Sequence, residues 1–308
     1  MQKLSGALEQ LPSSLFIGGV SDYDAVPTFH GGFGDVYRAS YQESIVAVKR
    51  IRSFTANAHR ARLVGLTSPH EPVHSRTLTI SRFQQFLREA LVWQGLNHRF
   101  ILPLIGIDRD TFADSFCMVS PWMKQGTVLK YLETHGRTDV DRLLLEIAQG
   151  LEYLHSKHIV HGDLRGANIL ISDDGHGCLA DFGLSTIISE DISELLTSSS
   201  NRAGSVRWFA PELISPVDFG CPKFARTPAS DVYAYACVCV ELYTGRPPFA
   251  DVTPETAAML RVIRGERPRQ PVNMSEQFWR FVSAGWAPSP GSRPTVVEIL
   301  ASFPSSPR

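Results

Sequence analysis

The densest run of reactive side chains is His161-Gly162-Asp163-Leu164-Arg165-Gly166-Ala167-Asn168, with Ile169 and Leu170 directly after it. It offers an acid, a cation two residues on and an amide five residues on; a second acid opens Asp181-Phe182-Gly183. Together these form a polar cluster among short apolar strand segments. Upstream, Gly31-Gly32-Phe33-Gly34 can bring backbone N–H groups close to phosphate oxygens, because no Cβ stands in the way. Taken alone that run also reads as a turn. The strand pattern after it, Val36-Tyr37-Arg38-Ala39, argues against a dinucleotide fold, which needs a helix there. Lys49 ends the apolar strand Val46-Ala47-Val48, so its ammonium needs either solvent or a counter-charge. Glu89, a helical acid beside Ala90, has the right sign to supply one.

These residues need elements to hold them. From Phe29 to Lys49 the residues alternate, which predicts two antiparallel strands joined through Gln42-Glu43-Ser44. Residues 53–80 show neither period, contain two prolines and read as an inserted loop. Phe83, Phe86, Leu87, Ala90 and Leu91 restore helical spacing, and Ile101–Ile107 and Phe116–Val119 read as strands. Beyond Gly126 the helical period prevails, with Leu144, Ile147, Leu151 and Leu154 on one face. Short strands at Ile169–Ile171 and Cys178–Ala180 flank the reactive run, and the remainder to Ala301 is mainly helical. A sheet-rich part followed by a helix-rich part means an α+β protein in two lobes, joined near Pro121–Gln125. Residues 1–24 read as a lead-in and 304–308 as a disordered tail.

Composition narrows the classes. The chain has 308 residues, 43% hydrophobic, and 30 basic against 31 acidic side chains. That apolar content excludes global disorder. A net charge of −1 gives no electrostatic case for nucleic acid or an anionic membrane as main partner. Five cysteines argue against a disulfide scaffold. No signal-peptide run opens the chain, and the most apolar stretch, Ala229 to Tyr243, is broken by Asp231 and Glu241 and is too short to span a bilayer. The expectation is a soluble, intracellular, cytoplasmic protein without a membrane segment.

The motif order resembles the protein kinase family, within it the tyrosine-kinase-like group common among fungal sequences, over about residues 25–303. Gly204-Ser205-Val206-Arg207-Trp208-Phe209-Ala210-Pro211-Glu212 looks like the end of an activation segment. Ser230-Asp231-Val232-Tyr233 resembles the start of the family's central helix, and Trp286 with Arg293-Pro294 its closing motif. The resemblance implies a bilobal kinase fold: a small antiparallel β-sheet lobe with one main helix (25–120), a hinge (121–125) and a larger, mainly helical lobe (126–303). It further implies ATP, Mg²⁺ and a protein substrate, with the chain acting as a monomer or transient dimer. Lys49 would contact the α/β-phosphates and be held by Glu89; Gly31, Gly32 and Gly34 would cover the phosphates. Asp163 would orient the substrate hydroxyl and accept its proton, Arg165 would lie beside the γ-phosphoryl, and Asn168 and Asp181 would hold Mg²⁺. Val36, Ala47 and Leu170 would sandwich adenine, with Trp122 and Met123 in the hinge and Ser120 guarding the back pocket. Trp93, Leu104, His161 and Phe182 would stack as an internal spine, and Arg293 would pair with Glu212. Ser205 near the catalytic acid favours serine/threonine over tyrosine, although Arg165 resembles the tyrosine-kinase form of the loop.

Three departures stand out. Phe29 occupies the first glycine position of the loop and, with Gly162, keeps a catalytically weak or inactive pseudokinase, acting as an ATP-binding or scaffolding module, as the alternative. Gly162 replaces the arginine that would meet a phosphate on the activation segment, so phosphorylation at Thr197–Ser200 is not expected to be the main switch. Lys49 and Glu89 lie 40 residues apart, with residues 53–80 making up the excess. Other signals carry less. His155, His158 and His161 lack the i, i+4 spacing of helical zinc sites, and Cys237 and Cys239 read as packing residues.

Overall fold

The alternation of residues 35–50 produces the expected hairpin. In the computed structural model, β3 (Asp35–Tyr41) and β4 (Ser44–Arg50) pair antiparallel from Asp35↔Arg50 to Tyr41↔Ser44. Gln42 and Glu43 both take positive φ, 46° and 65°, which makes a two-residue turn whose twist suits the strands. Ser44 therefore belongs to the strand. The structure describes residues 12–30, 34–50, 89–112, 115–181 and 203–303, without the side chains of 203–205. The expectations for Gly31, Gly32, residues 53–80, Phe83–Leu87, Phe182, Gly183, Thr197–Ser200, the Ser205 hydroxyl and the tail 304–308 lie outside them.

Two units divide the chain: residues 1–97 with 102–122, and residues 98–101 with 123–308. The first holds a six-stranded sheet in the order β1-β5-β6-β4-β3-β2. Its other strands are β1 (Phe16–Ile17), β2 (Phe29–His30), β5 (Gly106–Asp108) and β6 (Cys117–Pro121). Every pairing is antiparallel except β1 with β5, so the sheet is mixed rather than wholly antiparallel. β1 lies inside the stretch read as a lead-in; a two-residue strand has no period to read. Gly106 makes its approach possible, because a Cβ there would stand 2.6 Å from the Ile17 side chain and 2.9 Å from the Leu15 carbonyl. The strand expected over Ile101–Ile107 shrinks to Gly106–Asp108, since Pro103 has no N–H for a ladder and Ile101 belongs to the second unit, where it bridges to Leu179.

One face of the sheet is its core: Tyr37, Ala39, Val46, Val48, Cys117 and Val119 are buried against one another. By strand alternation the opposite face carries Val36, Ala47, Lys49 and Ser120. Among the described residues this unit also holds a helix, α1 (residues 89–94).

The second unit is mainly helical. Its elements are α2 (Val128–His135), α3 (Val140–Ser156), the hairpin β7 (Ile169–Ile171) and β8 (Gly177–Leu179), α4 (Pro211–Ile214), α5 (Pro228–Thr244), α6 (Glu255–Ile263), α7 (Glu276–Gly285) and α8 (Val296–Ser302). Leu144, Ile147, Leu151 and Leu154 are fully buried where α3 packs on β8, α5 and α8. α5 begins with a reciprocal Thr227–Ser230 capping box and Pro228 in its first turn, and stops at Gly245 with φ 69°. Every residue from Ser230 to Leu242 is buried, so this helix is the unit's axis.

Candidate active site

The start of the reactive run is fastened to α5 by the carboxylate of Asp231. Asp231, 1% exposed, accepts the backbone N–H of His161 on Oδ2 and that of Gly162 on Oδ1, both at 2.8 Å. His155 Nε2 meets the same Oδ2 at 2.9 Å. Hydrogen bonds to a charged acceptor contribute about 1.5–3 kcal/mol each, so the start of the loop is held firmly. Gly162 sits at φ 75°, in the left-handed region where glycine costs least. The histidine spacing that first suggests metal is explained here: His155 is engaged with Asp231, and His161 is buried.

His161 Nδ1 accepts the Asp163 N–H at 3.3 Å, which places the ring proton on Nε2. Burial lowers the His161 pKa, against weaker opposition from the Asp231, Asp163 and Asp181 charges, and keeps the ring neutral. Asn168 Nδ2 donates to the Asp163 backbone oxygen at 2.8 Å and to its Oδ2 at 2.9 Å. One amide thus orients the acid at the other end of the loop. That bond also fixes the amide's direction and leaves the Asn168 carbonyl oxygen as a ligand for a cation. Asp181 follows β8 with φ 57°, an uncommon backbone state for a non-glycine residue and one that clusters at functional sites. The Ala180 N–H donates to the backbone oxygen of Asn168 at 2.9 Å, leaving the side-chain amide oxygen open and tying the segment before Asp181 to the loop. A hard divalent cation uses one or two protein oxygens plus substrate phosphates, so an amide oxygen and a carboxylate are a fitting donor set.

Arg165 lies over the Trp208 ring, its Cζ 4.9 Å from the centroid. Trp208 ends the 3₁₀ turn Ala203–Trp208, followed by Glu212 in α4. Arg293 holds Glu212 with two bonds, Nη1 to Oε1 at 2.7 Å and Nη2 to Oε2 at 2.6 Å, the pairing that the family resemblance implied. Leu170 on β7 bridges to Thr127, and the Ile171 N–H reaches the Gly126 carbonyl, which places Leu170 beside the chain following Met123.

In the first unit, the strand register gathers the expected nucleotide residues. Val36 faces Lys49 across β3–β4, and Ala47 faces Ser120 across β4–β6, all on the non-core face. Trp122, two residues beyond Ser120, donates its N–H to the Ile45 carbonyl. Gly34 is buried directly before β3. Glu89 is 3% exposed on α1. Trp93 donates its indole N–H to the Leu102 carbonyl at 2.6 Å. Phe29 pairs with Val36 in β2–β3 and stacks on Trp122, centroids 6.0 Å apart and planes at 25°.

Residues 73–303 match the family described as protein tyrosine and serine/threonine kinase. The chain belongs to that kinase family. Its relatives place it in the tyrosine-kinase-like group of bilobal kinases. Over 276 residues, 88% of the chain, it is 28% identical both to the serine/threonine-protein kinase STY17 and to the serine/threonine/tyrosine-protein kinase HT1 of Arabidopsis thaliana. Over a similar stretch it is 30% identical to the serine/threonine-protein kinase TNNI3K of Mus musculus. The chain spans 42%, 63% and 29% of those three relatives.

The motif reading quoted Asp231 only as part of the central helix and missed its contacts with the loop, as it missed those of Glu241 ten residues further along α5. Their signal was present as the two acids interrupting the apolar stretch Ala229–Tyr243. An acid that survives in a buried helix must be partnered.

Proposed function

We propose that this kinase domain transfers the γ-phosphoryl group of ATP to a protein hydroxyl, serine or threonine in preference to tyrosine. The observation that carries the reading is the loop geometry: Asp163 is oriented by Asn168 at 2.9 Å, on a segment whose backbone is bound by buried Asp231. Asp163 then accepts the substrate hydroxyl proton, and Arg165 offsets charge on the transferred group. Lys49, steadied by Glu89, contacts the α/β-phosphates, while Gly31, Gly32 and Gly34 cover them. Val36, Ala47, Ser120, Trp122, Met123 and Leu170 receive the base. Mg²⁺ held by Asn168 and Asp181 would supply charge neutralisation on the phosphates. Such a site works by positioning and electrostatics rather than covalent chemistry. The serine/threonine preference is supported by relatives such as STY17 and TNNI3K, both named serine/threonine-protein kinases.

The setting we propose is the cytoplasm, with the chain a monomer or transient dimer acting on protein, not nucleic acid. All five cysteines are free thiols, as a reducing compartment requires. Among the described residues no helix is long and apolar enough to cross a membrane.

The test uses radiolabelled ATP, Mg²⁺ and casein, with the native chain beside Asp163→Asn. The native chain transfers label, and the variant loses roughly 10²–10⁴-fold, the range of a positioned general base. Equal labelling by both proteins refutes the assignment; ATP binding with no transfer by either establishes the pseudokinase reading in its place.

A further inference from the structure

Glu241 has no part in the roles assigned so far. It is 3% exposed, ten residues beyond Asp231 on α5. Its Oε2 accepts two N–H groups from separate parts of the chain: the Gly166 backbone at 2.9 Å and the Trp208 indole at 3.0 Å. Gly166 belongs to the catalytic loop and Trp208 to the end of the activation segment. Arg165, next to Gly166, rests on the ring of that same Trp208. The contacts therefore form a closed circuit of Glu241, Trp208, Arg165 and Gly166. Removing a carboxylate from water is costly, and two N–H donors on one oxygen offset that cost here.

We propose that Glu241 is a positioning residue for phosphoryl transfer: by holding Gly166 and Trp208 on one oxygen, it sets the ring beneath Arg165 and fixes where the guanidinium stands. The inference rests on the kinase reading of Arg165 given above.

The charged group facing Glu241 is Arg165 from the loop; Gly166 and Trp208 present N–H dipoles, and Cys237 on α5 is a neutral thiol nearby. Burial raises the Glu241 carboxyl to about 7, with the Gly166 and Trp208 bonds and the Arg165 charge opposing. Below that pH the neutral acid prevails, and above it the carboxylate, which is the stronger acceptor for both donors. The circuit is therefore tightest on the alkaline side. Stability moves the other way. A folded-state value raised above the ordinary 4.5 means the folded chain binds the extra proton between about 4.5 and 7, so this contribution to stability is lost as pH rises through that window.

That opposition separates a positioning role from a merely structural one. The assay measures kcat and KM for ATP with casein between about pH 6 and 8.5, alongside Tm, for the native chain, Glu241→Gln and Trp208→Phe. At pH 8, Glu241→Gln is expected to lose about 10–100-fold in kcat, the scale of a small misplacement, with KM for ATP changed by less than about two-fold and Tm not lowered. The native-to-variant ratio shrinks toward pH 6, a comparison in which the ionisation of ATP itself cancels. Trp208→Phe keeps a ring for Arg165 but loses the N–H, so its kcat falls several-fold with the same pH trend. It carries the test if Glu241→Gln does not fold. Native kcat across the range in either folded variant, or a kcat loss that only tracks a fall in Tm, overturns the proposal. No transfer by the native chain would overturn the kinase reading itself, a result distinct from transfer that ignores Glu241.

Discussion

Replacing Arg293 by methionine should destabilise the helical unit far more than a typical buried substitution. The Arg293 side chain is 0% exposed and its partner Glu212 2% exposed. Beyond the two bonds to Glu212, Arg293 donates to the carbonyls of Ala229 at 2.9 Å, Ala287 at 2.9 Å and Pro288 at 3.3 Å. Methionine fills much of the volume but leaves Glu212 charged, buried and uncompensated. Breaking one side of such a pair costs about 3–5 kcal/mol. At about 2–4 °C per kcal/mol for a unit of this size, Tm should fall by roughly 6–20 °C. Urea unfolding followed by fluorescence measures the cost. Adding Glu212→Gln to Arg293→Met removes the stranded charge, so the double variant should recover part of the loss. A loss below about 1 kcal/mol for Arg293→Met would refute the reasoning, as would a double variant that simply sums the two single costs.

Two further substitutions test other parts. Phe29→Gly opens the stack on Trp122, worth about 0.5–1.5 kcal/mol, so ADP should bind about 2–12-fold tighter by calorimetry; weaker binding would show that Phe29 packs on the nucleotide instead. Gly150→Ala gains helix propensity of up to about 1 kcal/mol, yet its Cβ would stand 2.8 Å from the Phe100 carbonyl and 3.2 Å from Leu179. Overpacking at about 1–3 kcal/mol wins, and a rise in Tm would contradict it.

How legible was this in the sequence? The local arrangement of the reactive run was, because its side chains sit close together in sequence and the loop closes on itself through Asn168 and Asp163. The sheet face was legible too, since alternation alone separates Val46 and Val48 from Ala47 and Lys49. What escaped depends on distant partners. β1 exists only because β5 offers Gly106 and a free edge, and Ile101 leaves the expected strand because Leu179 pairs with it. The roles of Asp231 and Glu241 required knowing which loops cross α5. Their types said only that something polar must meet them.

Asp231 also bears on how the loop can be opened. The amides of His161 and Gly162 end on a carboxylate rooted in a helix with no exposed residue from Ser230 to Leu242. Those two N–H groups therefore share the cooperative unit of the core, and their exchange with solvent deuterium requires its global unfolding rather than local fraying. Regulation by melting this loop would unfold the domain with it. A switch in this molecule has to act on segments with shallower roots, and the loop at His161 and Gly162 stays assembled while it does.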